Sequence, residues 1–181
     1  MVYCKKATEE HPISIRFPQS LIGMNPMITK EGERCNLFDE NWRVLDMDDV
    51  ETRLASQQRR SKTSTTDFAM GIKISNSTKF LLVECRFRYG NEGVKRLTEG
   101  ELTAKVNGSI GILSQDPPIH SDVYFLFSNS EIQQARNKMA RLSAGRKKYL
   151  AKTTTEFKDC FNLTCSAECR NNTCTYYQVA N

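Results

Sequence analysis

The sequence predicts an α/β (α+β) protein in which a central mixed sheet is flanked by helices. The first observation is the order of its amphipathic segments, which reads helix, strand, strand, helix, strand, helix. The second is composition, because 26% charged and 39% hydrophobic residues are typical of a folded globular chain. A chain of 181 residues is long enough for one sizeable domain with one core.

The N-terminal part, residues 1–45, is expected to be an extension packed on the core. It contains the run ISIRFP, which reads as a short strand closed by Pro18. A helix is then predicted from about residue 47 to 60. Aspartates at the front of this segment and arginines at its back suit the helix dipole, and Val50 and Leu54 are at helical spacing.

The predicted core, residues 46–152, continues with a hairpin and two further helices. DFAMGIKI and KFLLVECRF read as two strands around the polar turn SNST. ELTAKVNGSIGIL has apolar residues at intervals of three and four, so it reads as a helix weakened by Gly108 and Gly111. DVYFLFS reads as a buried strand, and NSEIQQARNKMARLSAGRKKYL as a helix capped by Ser130.

Positive charge is unevenly distributed along the chain. Lys and Arg number 26 against 21 Asp and Glu, a formal net charge of +5, and the excess gathers in QQRRSK, VKRL and the last predicted helix. Clustered cations favour a polyanionic partner such as nucleic acid, although a solvated basic helix face would give the same pattern. The predicted phosphate contacts are Arg136, Lys138, Arg141, Arg146, Lys147 and Lys148.

Two carboxylates stand on the predicted hairpin. With a turn centred on Asn76 and Ser77, Asp67 faces Arg86, and Asp67, Glu84 and Arg86 project from the same side. Asp67 and Glu84 are then diagonal neighbours roughly 5–8 Å apart, which a divalent cation can bridge. Hard oxygen ligands favour magnesium or manganese. The alternative is a solvent-facing ion pair between Asp67 and Arg86.

The segments TTD, ending at Asp67, and VECR, containing Glu84 and Arg86, resemble the motif of the PD-(D/E)XK nuclease superfamily. The similarity covers about residues 47–142 and implies a restriction-endonuclease-like fold. It implies that Asp67 and Glu84 bind Mg or Mn and that Arg86 stands where the family has a catalytic lysine.

The same resemblance extends to two helices. It implies that Glu51 is an added acidic residue of the site and that Lys105 contacts phosphate. Two positions depart from the motif, because Thr66 replaces its proline and Arg86 its lysine.

The C-terminal segment, residues 153–181, is rich in cysteine. Cys160, Cys165, Cys169 and Cys174 could hold zinc or an iron–sulfur cluster, or could be reduced structural thiols or two disulfides.

These features predict a metal-dependent DNA endonuclease, or another DNA-processing protein of nuclease type. The alternative is a catalytically degenerate nuclease-fold protein with a binding, regulatory or immunity-type role. No apolar stretch approaches the ~18–20 residues of a membrane span, and the start lacks a secretory signal, so we expect a cytoplasmic protein without a membrane partner. A homodimer or a larger complex is compatible with this reading.

Overall fold

The structure is a computed structural model that describes residues 1–114, 117–143 and 148–161. The strands in these residues are β1 (Val2–Tyr3), β2 (Leu21–Gly23), β3 (Arg43–Asp46), β4 (Phe68–Ile74), β5 (Ser77–Cys85), β6 (Asp122–Leu126) and β7 (Lys148–Lys152). The α-helices are α1 (Lys5–Glu9), α2 (Pro12–Arg16), α3 (Met24–Glu31), α4 (Met47–Gln58), α5 (Asn91–Arg96), α6 (Glu99–Leu113), α7 (Ile132–Leu142) and α8 (Thr154–Asp159).

The strands form one mixed sheet. Its order is β2-β3-β4-β5-β6-β7, and β1 pairs with β4 beside β3. β4 and β5 form an antiparallel hairpin, whereas β5, β6 and β7 run parallel to one another. Parallel neighbours need a crossover connection, and α5 with α6, and then α7, supply these connections. The predicted α/β class, a central mixed sheet flanked by helices, is therefore confirmed.

Each face of the sheet buries its own apolar core. On one face, Leu82 and Phe125 pack with side chains of α4, α5, α6 and α7. On the other, Leu81 and Val83 pack with α3 and with Phe157 of α8. Because side chains alternate along a strand, Glu84 lies on the same face as Leu82, towards α6.

The N-terminal extension is built into the sheet. β1 pairs with the far end of β4 at Val2 and Lys73, and β2 pairs with β3. The prediction of a strand in ISIRFP is wrong, because this segment forms α2. Pro12 occupies the first turn, and the ring of His11 accepts a hydrogen bond from the Ile13 backbone N–H, so both residues favour a helix start.

The last predicted helix is shorter than expected. α7 ends at Leu142, and residues 148–152 form β7 at the edge of the sheet. Ser130 is not its cap, because its hydroxyl donates to the Glu131 carboxylate at 2.7 Å and α7 starts without a side-chain cap.

In the described residues, no helix is long and apolar enough to cross a membrane.

Candidate active site

The register of the hairpin brings Asp67 and Glu84 opposite each other. The predicted pairing is wrong by two residues, because Ile74 pairs with Ser77 and Phe68 with Val83. Ser75 and Asn76 make a two-residue turn, with Ser75 at a φ of 52°. A shift of two residues preserves the face of every side chain. One step beyond Phe68, the register sets Asp67 directly across from Glu84 rather than diagonal to it.

Asp67 is a buried carboxylate at the start of β4. Its Oδ2 accepts a hydrogen bond from the Cys85 backbone N–H at 2.5 Å, and its carbonyl oxygen accepts from the Met47 N–H at 3.0 Å. These bonds tie Asp67 to the end of β5 and to the start of α4. Burial, and then the nearby Glu84, raise the pKa of Asp67 to about 8. At neutral pH, this carboxyl therefore holds a proton unless a cation replaces it.

The two carboxylate oxygens of Glu84 have different surroundings. Oε1 lies 2.9 Å from Nζ of Lys105 and 3.0 Å from Nε of Arg86. Oε2 is buried and has no hydrogen-bond partner among the described residues. Burial raises the pKa of Glu84, although Arg86 and Lys105 oppose this. A buried polar atom without a hydrogen-bond partner is energetically costly, and in this site Nε of Arg86 is in the same situation as Oε2.

Arg86 is enclosed by side chains from three sides. Besides Glu84, its guanidinium contacts Glu101 Oε1 at 2.8 Å, donates to the Tyr89 hydroxyl and lies 4.5 Å from the centre of the Tyr89 ring. The Arg86 side chain is 7% exposed, whereas that of Lys105 is 21% exposed. Lys105 is thus the more accessible of the two cations at Glu84.

Helix α6 fixes the segment that leads into Asp67. The Thr66 N–H donates to Ser109 Oγ at 2.8 Å, the Thr66 hydroxyl lies 2.9 Å from the same oxygen, and Lys105 donates to the Thr65 carbonyl at 3.1 Å. Proline has no N–H and would lose the first of these bonds. Position 66 therefore needs a residue with a backbone N–H, which threonine has and proline lacks.

Glu51 has other partners. Its buried carboxylate accepts four hydrogen bonds, two from the guanidinium of Arg60 and two from the backbone and hydroxyl of Thr63. These contacts use both oxygens and give no support to the expected role of Glu51 in the site.

Asp48, one turn earlier on the same helix, is an acid of α4 whose charge acts on Glu84. It accepts from the Thr65 hydroxyl at 3.1 Å, and after burial it is among the causes that raise the pKa of Glu84. Sequence reasoning missed Asp48, and it also missed Glu101 and Tyr89. The acid-rich run LDMDDVE offers several equivalent positions, so the sequence alone could not select one of them.

The predicted phosphate contacts of the last helix have mixed surroundings. Arg136 forms an ion pair with Glu156, and Lys138 donates to the Lys95 carbonyl at 2.8 Å. Arg141 and Lys148 are exposed, whereas Arg146 and Lys147 lie outside the described residues.

The possible ligands for a metal ion at this site are the carboxylates of Asp67 and Glu84. Among the described residues, no group of three or more His, Cys, Asp and Glu side chains is placed to hold a metal ion. Magnesium is commonly bound through one or two carboxylates and several waters, so Asp67 with Oε2 of Glu84 fits its chemistry. In the predicted tail site, Cys160 donates to the Glu156 carbonyl at 3.2 Å, and Cys165, Cys169 and Cys174 lie outside the described part of the chain.

Comparison with known proteins adds no relative. No family model, no curated protein and no solved structure matches this chain.

Proposed function

We propose that this protein is a metal-dependent nuclease that hydrolyses phosphodiester bonds in DNA. One observation carries the proposal: Asp67 and Glu84 oppose each other on buried strand ends, and Oε2 of Glu84 has no partner among the described residues. A divalent cation would supply that partner and would replace the proton that Asp67 holds at neutral pH.

The residues have separate roles in the proposed reaction. Asp67 and Glu84 hold Mg²⁺ or Mn²⁺, which when bound polarises a phosphate and lowers the pKa of a water molecule. Lys105 presents an ammonium group 2.9 Å from Glu84 and is exposed enough to meet a phosphate oxygen. Arg86 orients the Glu84 carboxylate, because its own guanidinium is held by Glu101 and Tyr89.

The resemblance to the PD-(D/E)XK superfamily is retained as part of this proposal. It is supported by the order helix, strand, strand, helix, strand from α4 to β6, with α5 inserted before α6. Both departures from the motif have a local physical reason. Thr66 supplies an N–H that proline lacks. The motif's lysine is replaced by Arg86, but Lys105 of α6 places a lysine ammonium group close to Glu84 instead.

A second candidate function is binding without catalysis. The observation that favours it is the pairing of Glu84 Oε1 with two cations, Arg86 and Lys105, which already neutralises charge in the site. A degenerate nuclease-fold protein with a regulatory or immunity-type role would need no more than this.

The test is cleavage of labelled single-stranded, double-stranded and branched DNA with Mg²⁺, with Mn²⁺ and with EDTA. We expect metal-dependent cleavage that is lost in Asp67→Asn and Glu84→Gln and strongly reduced in Lys105→Met. The matched control is Glu99→Gln, because Glu99 is an exposed acid in the first turn of α6.

Two other outcomes decide between the candidates. Salt-sensitive DNA binding without cleavage under any of these conditions would support the second candidate and reject the first. Cleavage or binding of RNA alone would reject DNA as the substrate while keeping the nuclease site.

A further inference from the structure

We infer that residues 59–64, the basic loop, form a preorganised arm that contacts phosphate groups of the nucleic acid, with Arg59 and Lys62 as the contacts and Glu51 as the anchor. The inference rests on the proposed function, because it assigns to the substrate a surface next to the same site. The sequence of the loop is RRSKTS.

The anchor is a fully buried carboxylate beneath an exposed loop. Glu51 accepts from Arg60 at 2.5 and 2.9 Å, and from the backbone N–H and hydroxyl of Thr63 at 2.6 and 2.8 Å. The bonds from Arg60, the largest cause, lower the pKa of Glu51 to about 2, so the anchor is ionised at neutral pH. A buried charge is retained where it is fully hydrogen-bonded, and here all of its partners belong to the loop.

The loop is also fixed at both of its ends. It begins at Arg59, the left-handed C-cap of α4, whose backbone N–H donates to Ser56. At its far end, the Ser64 carbonyl packs against Gly108 of α6, and Asp67 follows three residues later. Every residue from Arg59 to Ser64 is nonetheless exposed.

Two cationic side chains of this fixed loop, Arg59 and Lys62, form no contacts that stabilise the described part of the protein. No side-chain hydrogen bond or ion pair joins Arg59 or Lys62 to another described residue, whereas Arg60 is bound by Glu51. Glu51 therefore stabilises the conformation of the loop, while the side chains of Arg59 and Lys62 are exposed to solvent.

Charge complementarity identifies the occupant as a polyanion. The neighbouring site holds the acids Asp48 and Glu84, whose negative charge repels phosphate, whereas Asp67 holds a proton at neutral pH. A strand entering that site needs cations held beside it, and a preorganised arm supplies them with little loss of entropy on binding. Lys105 donates to the carbonyl of Thr65, the residue after the loop, and lies 2.9 Å from Glu84, so it carries a third positive charge between the end of the loop and the site.

The experiment measures binding of a fluorescently labelled DNA oligonucleotide by anisotropy, in EDTA so that the probe stays intact and over a series of salt concentrations. The double variant Arg59→Gln/Lys62→Gln should weaken binding roughly tenfold at low salt and reduce the salt slope by about two, one for each lost phosphate contact. The matched control is Lys5→Gln/Lys6→Gln, which removes the same charge from exposed positions on α1.

Glu51→Gln gives a test whose sign is decisive. Removing a negative charge should tighten binding to DNA if only net charge matters, whereas loss of the anchor should weaken it by roughly threefold to tenfold. Thr63→Val removes one hydroxyl bond and serves where Glu51→Gln fails to fold, which is checked by thermal unfolding. It should weaken binding in the same direction.

Each result has one meaning. Loop variants that bind like the wild type, while the wild type binds and cleaves DNA, would overturn the role of the loop and leave the proposed function intact. Equal losses in the control pair would also overturn it, because they would show dependence on net charge alone. A wild type that neither binds nor cleaves nucleic acid would reject the proposed function itself.

Discussion

The carbonyl oxygen of Ser64 fills the space that a side chain at Gly108 would need, because a Cβ built on Gly108 would lie 2.0 Å from that oxygen. Glycine within a helix costs about 0.5–1 kcal/mol relative to alanine, so a specific contact compensates for it here. The close approach lets the segment before Asp67 lie on α6. The position of the segment that leads into the candidate site therefore depends on the absence of a side chain at Gly108.

This contact predicts opposite effects for two glycines of the same helix. Gly108→Ala should lower the free energy of unfolding by about 1–3 kcal/mol, because the backbone of Ser64 must move. Gly111→Ala should raise it by up to about 1 kcal/mol, since nothing lies within 4 Å of the added methyl group. Urea unfolding of both variants measures the difference. Equal effects of the two substitutions would contradict the contact.

Thr66 gives a second prediction, because its backbone N–H and its hydroxyl both contact Ser109 Oγ. Thr66→Pro should lower the free energy of unfolding by about 1–3 kcal/mol, since it leaves Ser109 Oγ without the N–H that reaches it at 2.8 Å.

A double-mutant cycle isolates this bond. In a Ser109→Ala background, the cost of Thr66→Pro should shrink, because the acceptor is already absent. An unchanged cost in both backgrounds would attribute the effect to the backbone of proline alone.

The sequence predicted the faces of the hairpin better than its register. Side-chain alternation has a period of two, so Asp67 and Glu84 share a face in the predicted pairing and in the observed one. The register itself depends on Ser75, which has a positive φ that is uncommon for serine and that no composition rule selects. The sequence could therefore predict the pair but not its direct opposition.

Tertiary contacts explain the elements that the sequence did not predict. Residues 148–152 form an edge strand with a lysine at each end. The strand is stabilised by its pairing with β6, and the spacing of apolar residues within the segment does not predict that pairing. Glu51 and Asp48 are one turn apart on α4, and their hydrogen-bond partners differ. Arg60 and Thr63 donate to Glu51, whereas Thr65 donates to Asp48, and the sequence alone does not reveal this choice. Metal binding and DNA binding remain predictions.

Arg86 is the subject of a third prediction. In Arg86→Lys, the lysine ammonium cannot keep the contacts with Glu84, Glu101 and Tyr89 together. We expect the free energy of unfolding to fall by about 1–3 kcal/mol. The control is Arg88→Lys, because Arg88 is exposed and its hydrogen bond to the Lys30 carbonyl is long, at 3.4 Å. Chemical unfolding should show no such loss in the control, and equal stability of Arg86→Lys and the wild type would contradict the enclosed position of Arg86.

The last prediction concerns pH. The pKa of Asp67 is raised to about 8, far above the ordinary value for aspartate of about 3.9. The folded protein therefore favours the protonated carboxyl. This contribution to stability is full below about pH 4, is lost progressively as the pH rises from about 4 to 8, and is gone above 8. In EDTA, the wild type should lose more stability than Asp67→Asn between pH 6 and about 9, as measured by thermal unfolding at each pH.

A bound cation reverses the preference, because it favours the ionised carboxylate. Binding of Mn²⁺ at pH 7 should release a proton, and the apparent affinity should rise about tenfold per pH unit until it levels off above pH 8. Calorimetry in two buffers of different ionisation enthalpy counts the protons released, and Asp67→Asn should release fewer while binding more weakly. Affinity that is constant between pH 6 and 8 would mean that Asp67 is not exchanging its proton for the metal, and the ligand role of this residue would be rejected.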